Sequence, residues 1–470
     1  MIRIGKPYIE EQNGEIRLIS HVTNDKEGKS IDLYYSVDSE YSQYLCNEQA
    51  DAFVLPMLLR AVITGQCIEV DAPLSEKLLH NIRYGVVYAL KTAYDSTPNN
   101  YGKRYNKRNV VSPHNNISVS QFENGYACQD ECGDEPGVCS HVDEAYQECS
   151  VCQKIEVKCT DTTSSVYGGN AVGTGCSLGV DSLSVIKKYF LDESCLPSYR
   201  ITHFACFNVG AFGSYNTDAT RKSFHKEVSA IKDFGARLGL PVVAVDTNLH
   251  EFFPERDFNW SHSFLNMGCV LALQKLWGKY LYASGYSLEN FKFDICDSAK
   301  YEPFLLPNLS TESTELIPVD MEKSRSAKVR FIMDDPIAME YLNVCLKEQS
   351  INDGIVKGIV DQEYRNCGHC EKCMRTMLQL DIYGKLGHYS KVFDLSDWER
   401  QKKHYLAKVL ACQNENLMYH DIVKTIPTDY QISFSTKLYS FCYKYNLLDI
   451  LRVINNFYRK IFRCKFIKEL

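Results

Sequence analysis

From residue 171 onward the chain alternates short apolar runs with amphipathic helices, and no other feature restricts its fold as tightly. "AVGTGC" reads as a strand ahead of helical periodicity over about 182–190, and "ITHFACFNV" reads as a second strand. Val228, Ile231 and Leu238 mark a helix leading into the strand "PVVAVDT", and a longer helix over about 262–278 feeds "YLYASG". Strand and helix in alternation predict an α/β fold, a parallel doubly wound sheet covered on both faces. In such sheets ligands sit at the C-terminal ends of the strands, where the chain leaves for the helices.

The flanks read differently. Residues 1–95 mix strand-like "IRLISHV" and "IDLYYSV" with helical "ADAFVLPMLLRAVITG" and "SEKLLHNIRYGVVYALKTAY", an N-terminal α+β domain with no catalytic motif. Residues 96–167 begin with the polar "DSTPNNYGKRYNKRNVVSPHNN" and then carry six cysteines from Cys128 to Cys159. The pair Cys149 and Cys152 has the spacing to chelate a second zinc ion, but the other spacings fit no metal pattern. We read this stretch as a linker and an insertion whose thiols are incidental. The α/β unit spans 168–390, and 391–470 reads as a helical C-terminal tail.

With 470 residues, 45% of them hydrophobic and 12% aromatic, the chain has material for two or three buried cores. A formal net charge of -7 argues against a surface devoted to nucleic acid. The start "MIRIGKPYIEEQ" lacks a signal-like apolar core, and no stretch approaches the roughly 18 apolar residues of a membrane span. The expected address is cytoplasmic, where 20 cysteines point to buried thiols and metal ligands more than to disulfides.

Two motifs carry the chemistry. The first is "GTGCSLGVDS", which joins a strand to a helix N-terminus, where backbone N–H groups and the helix dipole favour an anion. Ser177, Gly179 and Ser182 supply glycine freedom and hydroxyl donors, and Asp181 is placed to hold magnesium or to orient the loop. Leu178 is expected to avoid positive φ and to present its side chain near the phosphates. The second motif is "NCGHCEKCMRT", with Cys367, Cys370 and Cys373 spaced by two residues and Cys345 upstream. Four thiolates make a closed tetrahedral zinc site, structural rather than catalytic. His369 is a weaker candidate for the fourth ligand, and an iron–sulfur cluster would need the same thiolates.

"SLGVDS" resembles the Ser-Gly-Gly-x-Asp-Ser loop of the PP-loop ATP pyrophosphatase superfamily, whose members cleave ATP between its α and β phosphates on an adenine nucleotide alpha-hydrolase-like fold. Both motifs together, in this order, resemble the 7-cyano-7-deazaguanine synthase branch, the matching positions of the second being Cys345, Cys367, Gly368, Cys370, Cys373 and Arg375. "SRSAKVRFIM" is similar to the short basic helix of that branch. The resemblance spans roughly 168–390 and leaves out both flanks.

What it implies is an ATP-dependent ligase that adenylates a small carboxylate or carbonyl substrate and lets a nitrogen nucleophile displace AMP, using ATP, Mg2+ and Zn2+. Ser177, Leu178, Gly179, Val180, Asp181 and Ser182 would hold the phosphates, with Asp181 and Ser182 closest to the chemistry. Lys323, Arg325 and Lys328 would complete the clamp. Adenine would lie near Phe207 and Asn208, with Ser284 and Gly285 at the end of the fourth strand. Asp297, Ser310, Thr311 and Glu312 lie in the loop that meets substrate in that branch. No glutaminase domain is visible, so ammonia would come from solution or from a partner protein.

A second reading is a tRNA- or nucleobase-modifying enzyme. A third is a degenerate nucleotide-binding subunit of a multiprotein system, suggested by Leu178. Residues 431–470 hold eight Lys or Arg against two acids. Leu447, Ile450, Leu451, Ile454, Phe457, Tyr458 and Ile461 form an apolar helical face expected to bury against the protein's own core; a peripheral membrane contact is the alternative.

Overall fold

The structure, a computed structural model, describes residues 1–12, 14–95, 155–164, 169–213, 215–253, 258–346, 365–445 and 447. Its strands are β1 (Ile2–Ile4), β2 (Tyr8–Gln12), β3 (Glu15–Asn24), β4 (Lys29–Val37), β5 (Ile68–Val70), β6 (Leu74–Ser75), β7 (Val157–Cys159), β8 (Thr162–Thr163), β9 (Ala171–Gly175), β10 (His203–Phe207), β11 (Val242–Thr247), β12 (Trp277–Ala283) and β13 (Glu315–Val319). Among the described residues they build an 11-stranded mixed sheet in the order β13-β12-β9-β10-β11-β4-β3-β1-β5-β7, with β2 on β3. A small sheet pairs β6 with β8.

The five strands β9 to β13 are mutually parallel. Counted from β9 they stand in the order 3-2-1-4-5. The chain therefore builds outward from β9 through β10 to β11, then crosses back to lay β12 against the other side of β9. That reversal is a topological switch point, where the helices after β9 and β12 leave in opposite directions and open a crevice at the strand ends.

The N-terminal elements continue this sheet. β4 runs antiparallel to β11, with Val37 opposite Val245 and Tyr35 opposite Thr247, and the β3–β4 hairpin pairs Ile16 with Val37 through to Asn24 with Lys29. One apolar core lies between the sheet and the helices Asp51–Thr64 and Phe258–Ala272, joining Ile2, Tyr35, Phe53, Phe264 and Trp277. The two helices approach closely because of Gly268, where a Cβ would fall 2.6 Å from the Tyr35 hydroxyl and 3.0 Å from the Ala52 carbonyl oxygen. On the opposite face a second core joins Leu178, Phe204, Phe234, Val329, Met377 and Leu406. The helices Trp398–Ala411, Leu417–Lys424 and Phe434–Lys444 belong to that side.

Two boundaries differ from expectation. The helix expected over 262–278 is Phe258–Ala272, because Trp277 already starts β12 and packs edge-on against Tyr280. The stretch 296–314, read as a loop, contains the helix Glu302–Asn308 and leads into β13. Proline at its start and at Pro307 masks the helical pattern in sequence. Cys128 to Cys152 and the amphipathic stretch 450–463 lie outside the described residues. No helix among the described residues is long and apolar enough to cross a membrane.

Candidate functional site

A cavity of about 720 Å³ opens at the switch point. Gly175 to Ser177 after β9, Phe207 at the end of β10, and Tyr282 and Ala283 at the end of β12 form its floor.

The serine loop shapes one wall. Beyond β9 the chain keeps register for one more residue, the Cys176 amide donating to the Ala205 carbonyl at 2.9 Å, and then turns. Leu178 sits at φ 54, in the left-handed region. The expectation that a leucine would refuse positive φ is thus overturned. The conformation costs on the order of 1 kcal/mol for a residue with a Cβ. Burial offsets that cost, because the Leu178 side chain is fully buried in the core rather than set beside a ligand. The carbonyl of Leu178 accepts the Asn343 amide at 2.8 Å. Gly179 is needed for space: a Cβ there would lie 3.3 Å from Ser177 Oγ and 3.4 Å from the Asn343 carbonyl oxygen. Val180 starts the helix, the Ser182 hydroxyl donates to the Gly179 carbonyl at 3.1 Å, and Ser177 Oγ and Ser182 Oγ stand 3.5 Å apart. Ser177, Gly179, Val180, Asp181 and Ser182 all line the cavity.

Cations make the second wall. Ser324 caps the helix Arg325–Ile332, and Arg325 Nη1 reaches Asp181 at 2.5 Å. Lys328, 1% exposed, meets the other Asp181 oxygen at 3.2 Å and donates to the Ser284 carbonyl. Burial opposes the charged form of Asp181, but Arg325 and Lys328 outweigh it and hold the carboxyl below its ordinary range. Lys372 also lines the cavity; burial, and then repulsion from Arg325 and Arg375, push its pKa down to about 8. Arg365 lines it as well, with a buried Nη1 that has no hydrogen-bond partner. Arg375, 9% exposed, has a buried Nε without a partner, and burial together with Arg325 lowers its pKa.

The cysteine motif stands against this wall. The sulfurs of Cys345, Cys367, Cys370 and Cys373 all lie within 4.8 Å of one another. Cys370 and Cys373 are 3.4 Å apart, and Cys367 and Cys373 3.9 Å. Four thiolates about 2.3 Å from one tetrahedral zinc ion stand roughly 3.8 Å apart, so the cluster can hold such a metal. The thiols already interact: hydrogen bonding with Cys345, then with Cys370 and Cys373, drives Cys367 far below the usual thiol range. Cys370 caps the helix Glu371–Ile382, which puts Cys373 in its first turn. His369 instead faces Gln401 at 3.3 Å, outside the cluster.

Asn259, His262, Asn266 and Tyr282 give the cavity a polar stretch of lining. His262 Nε2 is 3.9 Å from Asp297. Behind it, Glu302 is fully buried, accepts a hydrogen bond from Ser263 Oγ at 2.7 Å, and is pushed up to about 7 by burial.

Several expected site residues stand elsewhere. Asn208 is fully buried behind the cavity, its Nδ2 donating to Asp246 at 2.6 Å. Gly285 lies against Ala299, outside the lining. Lys323 is taken up by Asp320 and Glu322 at 2.5 and 2.8 Å. Ser310 and Thr311 are buried, Thr311 bonding Gln274, and Glu312 accepts the Lys77 amide. Sequence reasoning missed His262, Arg365 and Lys372, and it noted Arg375 only as part of the cysteine motif. For Lys372 and Arg375 the signal was present, since "CEKCMR" sets both in the first turns of the helix that the cysteines anchor.

Searches of family models, curated proteins and solved structures find no match to this chain.

Proposed function

We propose that the chain is an ATP-dependent ligase of the PP-loop kind, which adenylates a small carboxylate or carbonyl substrate and releases pyrophosphate and AMP. One observation carries the reading: the serine loop opens into a switch-point cavity that Arg325, Arg365 and Lys372 line with positive charge. A cavity rimmed by hydroxyls, a helix N-terminus and clustered cations is suited to a polyphosphate. The left-handed backbone of Leu178 supports the same reading, because the loop keeps a glycine-like turn while the leucine side chain stays in the core. A leucine at this position is therefore compatible with an anion-holding loop.

In this reading the substrate oxygen attacks the α-phosphorus, the bond to the β-phosphate oxygen breaks, and pyrophosphate departs into the serine loop. A nitrogen nucleophile then attacks the activated carbon, AMP leaves with the bonding electrons, and the nitrogen gives up a proton. Ser177, Ser182 and the loop amides orient the departing group, and Arg325 and Lys372 stabilise its charge. His262, beside Asp297 in the polar stretch, is placed to take the proton. Asp181, kept ionised and facing the cavity, is the residue that would hold magnesium, which when bound neutralises phosphate charge. The four thiolates leave no open position, so zinc there would be structural.

The test is calorimetric titration of the purified full chain with ATP and with pyrophosphate, followed by AMP release across a panel of small acids and amines. Binding of both ligands, and AMP release that needs one of the acids, supports the reading. Failure to bind either at millimolar concentration overturns it.

A further inference from the structure

We propose that Lys372, backed by Arg375 and joined by Arg365, binds the terminal phosphates directly, so that the cysteine cluster and the polyphosphate site stabilise each other. This rests on the ligase reading for the identity of the anion and extends it to residues and a coupling outside the serine loop.

Covalent spacing ties three cations to the cysteines. Arg365 precedes Cys367 by two residues, Lys372 lies between Cys370 and Cys373, and Arg375 follows Cys373 by two. A chain tied at these sulfurs has little freedom to place the three cations independently. Two of them reach the cavity: Arg365 and Lys372 line it, as do Asn343, Val344 and Cys345, with Arg375 behind them on the same helix as Lys372. The cysteine cluster therefore meets the cavity wall through Cys345.

Cations are concentrated there. Arg325, Lys328, Lys372 and Arg375 all feel Asp181, whose two oxygens meet Arg325 and Lys328, while Glu371 also faces Arg375 and Glu227 lines the cavity. Arg375 is nine-tenths buried with an Nε that no protein atom satisfies. A buried donor left without an acceptor is costly, and a polyphosphate reaching this wall would accept from several donors at once.

The coupling follows from connectivity. The same helix, Glu371–Ile382, carries Cys373 and both Lys372 and Arg375, and Cys370 is its N-cap. Asn366 fastens the other approach, its side chain accepting from the Val344 amide at 2.7 Å and donating to the Leu342 carbonyl at 2.8 Å. Metal bound at the sulfurs fixes these elements and thereby preorganises the cations. Thermodynamic linkage makes the effect reciprocal, so pyrophosphate must tighten metal retention by the same factor.

The test uses the zinc-loaded full chain. Pyrophosphate affinity is measured by calorimetry for the wild type, Lys372→Met, Lys372→Arg and Arg375→Gln, with metal content measured on each. In parallel, metal is stripped with a chromophoric chelator at fixed pyrophosphate, using the Lys372→Met chain to cancel pyrophosphate's own affinity for zinc. Expected are roughly tenfold weaker pyrophosphate binding in Lys372→Met and Arg375→Gln with metal content unchanged, and substantial recovery in Lys372→Arg. Pyrophosphate should also raise the chelator concentration for half-stripping about tenfold in the wild type relative to Lys372→Met. If the wild type binds pyrophosphate and both neutral variants bind it equally well, this inference falls while the ligase reading stands. If the variants lose metal on purification, the wild-type chain decides: stripping that pyrophosphate does not slow, compared with sulfate at equal ionic strength, overturns the coupling. A wild type that binds neither ATP nor pyrophosphate removes the ligase reading and this inference with it.

Discussion

The backbone amide of Asn343 donates to the carbonyl of Leu178 at 2.8 Å. The segment that leads to Cys345 is thereby fastened to the turn of the serine loop, and Leu178 is held at φ 54 from outside as well as by its own burial. Strain and packing oppose each other at this residue. Leu178→Gly would remove a left-handed strain of about 1 kcal/mol, yet would also delete a buried side chain of the kind whose truncation costs about 2–5 kcal/mol. The loss of packing should outweigh the relief of strain. Denaturant unfolding is expected to show a loss of about 2 kcal/mol, with pyrophosphate affinity kept; a variant more stable than wild type would mean that strain, not packing, dominates the loop.

Asp181 separates a structural from a ligand-handling role. In Asp181→Asn the cations Arg325 and Lys328 lose their shared carboxylate, so some stability goes, on the order of 1–3 kcal/mol. The same change removes a negative charge from the proposed anion site. Pyrophosphate measured in a chelating buffer should bind more tightly, while magnesium-dependent AMP release disappears. AMP release at the wild-type rate would show that Asp181 serves only to hold the wall together.

The cysteine cluster is expected to contain one metal ion per chain, seen by elemental analysis of protein purified without chelator. Serine in place of Cys345, Cys367, Cys370 or Cys373 should empty it and lower the melting temperature sharply, because structural zinc contributes on the order of 10 kcal/mol to folding. A chain with neither zinc nor iron and unchanged stability in Cys373→Ser would reject a metal centre.

Glu302 predicts a pH dependence with a definite sign. Burial raises its carboxyl from the ordinary 4.5 to about 7, so the neutral acid is the form the fold accepts. Stability linked to this group is fully present below about pH 4.5 and is lost as pH rises through about 7. Glu302→Gln keeps an acceptor for Ser263 and cannot ionise. Relative to wild type, the variant should gain stability steadily between about pH 5 and pH 8, approaching roughly 3 kcal/mol. Parallel stability curves for the two proteins over that interval would contradict a carboxyl raised by burial.

Local order in the chain was enough for much of this protein. The run from "AVGTGC" to "YLYASG" announces β9 to β12, because period-two and 3.6-residue patterns report directly which faces are buried. The serine loop and the CxxCxxC run were legible for the same reason: their residues are neighbours in sequence, and a turn or a chelate is closed by neighbours. Even Cys345, 22 residues before Cys367, could be enlisted by chemistry, since three thiolates leave a tetrahedron one short.

What stayed hidden depends on contacts between distant segments. β4 pairs with β11 across more than 200 residues, an edge that hydropathy does not encode. β13 and the helix Glu302–Asn308 are short and interrupted by proline, and only packing against β12 and the core makes them regular. The backbone of Leu178 is set by the core beneath it and by Asn343, overriding the local preference of a leucine for negative φ. The sequence by itself therefore determined the strand and helix periodicity, the turn that leaves β9 and the donor set of the cysteine cluster. Tertiary structure alone decided that the turn and the cysteines face one cavity, with Lys372, Arg365 and His262 drawn into it, because charge and burial at a site are sums over neighbours that only the folded chain brings together.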